Sequence, residues 1–174
     1  IACEVAKQGG NVLFLSAEMG EKRLMWRLAT MLSGIPEYDL IKGGLDLTQN
    51  HRRHEVLEEI QKLPLEIISG FSDVEEIIFE IRKWKAQNKC DVVVVDFLQN
   101  LATGKAEYQE ITAAIRQLQN VALREDVAII VASQNKAPLY VTNIISGILE
   151  NDMAAFLSET DKRMFYALNC IEGL

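Results

Sequence analysis

Apolar residues along the chain fall into two patterns. Four short runs, Val12 to Leu15, Leu65 to Ile68, Val92 to Val95 and Val127 to Ala132, are mostly continuous rather than alternating. Strands covered on both faces read this way. Between the runs the apolar spacing turns helical. In Ser72 to Gln87 the positions Val74, Ile77, Ile78, Ile81 and Trp84 line one face, and Ser72 with Glu75 predicts a capping box at the start. Glu107 to Arg124 carries a second stripe of Ile111, Ala114, Ile115, Leu118, Val121 and Ala122. Glu21 to Ser33 reads as a third helix, stopped by Gly34 and then Pro36, and Thr48 to Leu63 as a more polar fourth. Ile1 to Gln8 reads as the tail of a helix closed by Gly9 and Gly10. Strands alternating with helices predict βαβ crossovers, hence an α/β fold with a mostly parallel sheet flanked by helices. Residues 1–174 show no linker, repeat or low-complexity tract and are expected to form a single domain.

Composition narrows the function classes. The chain has 25 Asp and Glu against 18 Lys and Arg, a formal charge of -7, and 25% charged residues. No apolar stretch approaches the ~20 residues needed to cross a bilayer, so no membrane span is expected. The acidic balance argues against coating nucleic acid with the whole surface and confines any such contact to a few loops. Cys3, Cys90 and Cys170 lie far apart with no CxxC pair, which disfavours a zinc knuckle or disulfide framework and fits a reducing, cytoplasmic compartment. The opening Ile1-Ala2-Cys3-Glu4 is neither a start methionine nor a signal peptide, so a chain truncated at its N-terminus is expected.

In open parallel sheets, ligands bind beyond the carboxyl ends of the strands. The chain leaves Val12–Leu15 through Ser16-Ala17-Glu18-Met19, Val92–Val95 through Asp96-Phe97-Leu98-Gln99, and Val127–Ala132 through Ser133-Gln134-Asn135. An Asp directly after four valines is the pattern of a Walker B strand, whose carboxylate holds Mg²⁺ against nucleotide phosphates. Asp96 alone could equally start a turn or cap a helix. Glu18 could orient and deprotonate an attacking water, or be a surface carboxylate favoured by the dipole of the following helix. Gln134 could sense a terminal phosphate through its amide, or satisfy a loop carbonyl. His51 and His54, three apart on a polar helix with no third ligand nearby, read as solvated. Met25, Trp26 and Met31 read as core, and Arg82, Lys83 and Lys85 as a solvated face.

The combined pattern resembles a family. The segments LFLSAEM (13–19), VVVVDFLQNL (92–101) and EITAAIRQLQNVALREDVAIIVASQNK (110–136) are similar to the RecA-type motor domain of DnaB-type replicative hexameric DNA helicases. SGILENDMAAFL (146–157) resembles that family's SGAIEQDADVVLFL segment. The resemblance implies a RecA-like P-loop NTPase core that binds ATP and Mg²⁺. By position it makes Glu18 the carboxylate that activates water, Asp96 the magnesium ligand, Ser133 a neighbour of the bound nucleotide and Gln134 the phosphate sensor. It implies a homo-hexamer that moves on single-stranded DNA in replication, with primase or a helicase loader as further partners and no membrane. DNA contact would fall on Thr103 to Glu107 and Asn135 to Ile145, where Lys105 and Lys136 are the available cations.

Three departures bear on activity. The family's glycine-rich P-loop, which cradles the phosphates, would precede Ile1 and is not among residues 1–174, so these residues alone are expected to bind nucleotide poorly and to be inactive. The family's basic finger, a pattern like AKNRxG, aligns with Ala167-Leu168-Asn169-Cys170, which has Leu and Cys in place of Lys and Arg, with Lys162 and Arg163 nearby. The Arg-Glu before the SG pair is replaced by Ile144-Ile145. The resemblance therefore implies a helicase motor, with two alternatives: a catalytically degenerate RecA-fold scaffold or loader-like subunit, and an ATPase of the RadA or circadian-clock type.

Overall fold

A computed structural model describes residues 1–96, 107–134 and 166–170. Its elements run α1 (Ala2–Lys7), β1 (Val12–Ser16), α2 (Glu21–Ser33), α3 (Glu37–Lys42), α4 (Leu47–Lys62), β2 (Leu65–Ser69), α5 (Val74–Ala86), β3 (Val92–Asp96), α6 (Glu107–Glu125), β4 (Ala128–Gln134) and β5 (Tyr166–Cys170). The strands form one sheet in the order β2-β1-β3-β4-β5, and every pairing is parallel. The expected α/β fold with a parallel sheet flanked by helices is the fold observed.

The continuous apolar runs are explained by the two faces of the sheet. Side chains alternate between faces along a strand. Leu13, Leu15, Val93, Val95, Ile129 and Val131 point to one face, where they pack with Ile77, Ile78 and Ile81 of α5 and Ile111, Ile115 and Leu118 of α6. Val12, Val94 and Ile130 point to the other, where they meet Ala6 of α1 with Val5 and Leu63 at the margin. Both faces are covered, so neither half of a run such as Val92–Val95 can be polar. A separate cluster joins α2, α3 and α4 through Ala29, Ile35, Leu40, Val56 and Ile60, with Met25 and Trp26 packed against it.

The register of β1 against β3 is pinned at the end where both strands begin. Asp91 accepts two bonds from Asn11, from its backbone N–H and its side-chain amide, both at 2.8 Å. In return the Asn11 carbonyl accepts from the N–H groups of Asp91 and Val92 at 2.9 and 3.1 Å.

Helix boundaries follow local chemistry, with some differences from the pattern reading. α2 runs from Glu21 to Ser33 as expected and ends on Gly34 at φ 72°, a left-handed position that glycine adopts at no steric cost. α4 begins one residue early because Asp46 and Gln49 form a reciprocal capping box. α5 is capped one residue later than predicted. Asp73, not Ser72, accepts from the Glu76 N–H at 3.0 Å, while the Glu76 carboxylate accepts from the Ser72 N–H and hydroxyl at 2.8 and 3.1 Å. The acceptor is therefore Glu76 rather than Glu75. α3 leaves no helical period in the sequence, since it is six residues long and buries only Leu40. Met31, expected in the core, is 63% exposed, on the far side of α2 from Ala29. Lys85 is not a free surface cation: its ammonium donates to the carbonyls of Cys90 and Asp126 at 3.4 and 2.7 Å, tying together the approaches to β3 and β4.

No helix among the described residues is long and apolar enough to cross a membrane. Cys3 and Cys90 are both free and buried, and burial lifts the Cys90 thiol to about 11. The shifted cap of α5 has a measurable consequence: Asp73→Ala should lower stability in urea denaturation by about 1 kcal/mol, and Glu75→Ala by far less. Equal losses would contradict the cap as described.

Candidate functional site at the carboxyl edge of the sheet

The strand exits named from the sequence lie at one edge because β1 and β3 are level there. Ser16, the last residue of β1, pairs with Asp96, the last of β3. The ladder continues one step further, with the Ala17 N–H donating to the Asp96 carbonyl at 2.7 Å. Glu18 is the next residue. The loop carrying it is folded by a buried hydroxyl. Ser16 is fully buried, and its Oγ accepts from the Met19 N–H at 2.9 Å and the Glu18 N–H at 3.4 Å. A hydroxyl reaching forward this way satisfies backbone donors that an alanine would leave stranded. Met19 is buried beneath the turn, while Glu18 itself is exposed.

The two carboxylates sit in different surroundings. Asp96 is half-buried, and its pKa is raised above 3.8, chiefly by loss of solvent and further by the like charge of Glu18. Arg27 of α2 opposes this shift with its positive charge. Arg27 went unrecognised in the sequence, where one arginine in an amphipathic helix carries no signal; its place is legible only once the path of α2 is known. Ser16, the residue that folds the Glu18 loop, was likewise not singled out.

β4 lies beside β3, with Val95 level with Val131, and its last two residues, Ser133 and Gln134, run on toward the same edge. They pair with Asn169 and Cys170 of β5. The segment aligned with the basic finger is thus a strand of the sheet, with Leu168 level with Ala132. Lys105, Lys136, Ile144-Ile145, residues 146–157, Lys162 and Arg163 lie outside the described residues. His51 and His54 are exposed, and His51 pairs with Glu55 on its own helix at 3.4 Å. Among the described residues no three His, Cys, Asp or Glu side chains gather as a metal cage.

Asp96 is the carboxylate at this edge with the chemistry to hold a magnesium ion. Mg²⁺ takes hard oxygen ligands and is commonly held by one or two carboxylates together with substrate phosphates. A half-buried Asp whose negative charge is disfavoured by burial and by a second carboxylate is a place where a divalent cation relieves repulsion. A shallow groove between α5 and α6, lined by Glu75, Arg82, Gln117 and Arg124 among others, includes none of these residues.

Residues 1–138 match the DnaB-like helicase C-terminal domain family. The chain is 28% identical over 162 residues to a "Probable plasmid replicative DNA helicase" of Chlamydia trachomatis serovar L2, an alignment covering 86% of this chain and 36% of that protein. It is 28% identical over 135 residues to a "Probable replicative DNA helicase" of Trieres chinensis, covering 71% of this chain and 28% of that one. The chain therefore spans about a third of the length of these curated relatives. A solved DnaB-like replicative helicase, described with its interactions with primase, superposes with a TM-score of 0.66 at 25% identity, over 75% of this chain and 33% of that one. A second solved structure, an ATPase domain, shares the fold, with a TM-score of 0.73 at 24% identity over 87% of this chain and 59% of that one.

The raised pKa of Asp96 sets the sign of a pH effect. An acid that binds its proton more tightly when folded costs stability as pH rises from its unfolded value through its folded one. Asp96→Asn should therefore melt at a higher temperature than the wild type at pH 7 in metal-free buffer. The gap should narrow as pH falls to 3.8 and close below it, where both states hold the proton. Thermal melts across that range check it, and a variant less stable at pH 7 would mean that Asp96 is stabilised as a carboxylate.

Proposed function

Because the chain belongs to the DnaB-like helicase C-terminal domain family, we propose that it is part of the ATPase motor of a replicative DNA helicase, coupling ATP hydrolysis to movement on single-stranded DNA. The observation that carries this reading is the level register of Ser16 with Asp96, which brings Glu18 and Asp96 to one edge from neighbouring strands.

In this reading Glu18 is the general base. It is exposed at the rim, where its carboxylate is free to accept a hydrogen bond from a water and take its proton as that water attacks the terminal phosphate. Asp96, one strand over and half-buried on a rigid strand end, is the residue to hold Mg²⁺. When bound, the cation would offset negative charge on the phosphates. Arg27 tempers the repulsion between the two carboxylates before nucleotide arrives. In the same reading Ser133, at the end of β4, neighbours the bound nucleotide, and Gln134 senses the terminal phosphate and couples its hydrolysis to DNA. Lys105 and Lys136 are the cations proposed to meet DNA phosphates. A homo-hexamer gathering one such contact per subunit around a shared strand compensates for the acidic chain, and primase or a loader are the further partners proposed.

A second reading has one observation in its favour. Leu168 and Cys170 occupy the β5 strand where the family pattern calls for basic residues, which suits a subunit that kept the fold and lost turnover. An ATPase with a different client, of the RadA or clock type, shares the same strand exits.

The experiment is ATP hydrolysis by the full-length protein that carries this chain, with and without single-stranded DNA. Turnover should rise with DNA and fall by about a hundredfold or more in Glu18→Gln, the scale of general-base catalysis, and similarly in Asp96→Asn. A folded, oligomeric wild type with no turnover would move the assignment to the scaffold.

A further inference from the structure

We infer that Ser69 and Glu21 form a clamp across the sheet edge that positions the Glu18 loop. The catalytic consequence rests on Glu18 being the base; the clamp itself does not.

The N-terminus of a helix leaves its first N–H groups without partners inside the helix, and a side chain at the N-cap usually accepts from one of them. α2 is capped by Gly20, which has no side chain to offer. The acceptor comes instead from another strand. The Glu21 N–H donates to Ser69 Oγ at 3.3 Å, and the Ser69 N–H donates back to the Glu21 carboxylate Oε1 at 3.3 Å. Each bond is long, but the pair is reciprocal, and each satisfies a backbone donor at the end of its element. Ser69 closes β2, the strand at the sheet edge, and is level with Ser16 in the β1 pairing. One residue on, the Gly70 N–H donates to the Ser16 carbonyl at 3.2 Å.

Residues 16–21 are therefore held at both ends. β3 holds the start through the Asp96 carbonyl, and β2 holds the finish through Ser69. Ser16 Oγ fixes the middle by its bonds to the Glu18 and Met19 N–H groups. What this scaffold places is the backbone of Glu18, whose carboxylate is exposed. Opening the clamp frees the far anchor of the loop and lets the carboxylate drift relative to Asp96, without removing any group that would touch nucleotide.

The test uses the full-length protein and three variants. Ser69→Ala removes one acceptor, Glu21→Ala removes the other, and Glu21→Gln keeps an Oε1 acceptor while losing the charge. If Glu21 served only the helix dipole, Gln would fail like Ala; if it clamps Ser69, Gln restores function. Ser69→Ala and Glu21→Ala should each lower kcat for ATP about tenfold with KM changed less than about twofold, a part of the ~100-fold that a 1 Å misplacement can cost. Ser69→Ala should also speed hydrogen exchange at the Glu21 amide and Glu21→Ala at the Ser69 amide, and both should speed it at the Met19 amide, with Glu21→Gln close to wild type in each respect. Wild-type kcat in both alanine variants would overturn the positioning role, and unchanged exchange would overturn the clamp. If the wild type shows no turnover, the helicase reading fails separately and the exchange measurement alone decides the clamp.

Discussion

β1 and β3 come from parts of the chain 80 residues apart, yet they lie side by side with Val12 level with Val92 and Ser16 level with Asp96. Side chains alternate faces along a strand, so a slip of one residue would exchange the two faces of β3 relative to β1. It would also move Asp96 away from the level of Ser16. Asn11 and Asp91 hold the register where the strands start, and the Ala17 N–H with the Asp96 carbonyl continues it where they end. Glu18 and Asp96 share one edge because the sheet is locked from below.

From that lock the electrostatics follow. A carboxylate at the end of a buried strand loses solvent, and a second carboxylate two residues past the neighbouring strand adds its repulsion. The arrangement is unfavourable in isolation, and Arg27 offsets it only in part. Local conflict of this kind is what a ligand cation or a proton relieves, and it is common where a fold serves chemistry rather than stability alone.

Much of this was legible in the order of residues. Continuous apolar runs identified the buried parallel strands, α2 was read to the residue because Glu21 opens it and Gly34 closes it, and Glu18 and Asp96 stood out as carboxylates at strand exits. What was missed has two physical causes, distant partners and local ambiguity. The clamp joins residues 48 positions apart, and Arg27 reaches Asp96 only through the path of α2. α3 is too short for a period to show, and the cap of α5 turned on a choice between adjacent Ser72 and Asp73, both able to accept from a backbone N–H. Pattern reveals which face of an element is buried. It does not reveal which distant backbone donors lack a partner, and those decided the loop at the site.

The α2–α3–α4 cluster has a consequence for how the molecule assembles. Among the described residues its apolar contacts are drawn from one continuous stretch between Met25 and Ile60, whereas the sheet must unite strands separated by whole helices. Contacts close in sequence incur little loop-closure entropy and form quickly; parallel pairings wait for the chain to return. The three-helix unit is thus suited to condense first, as a local nucleus, with α2 already standing when β2 arrives to receive it.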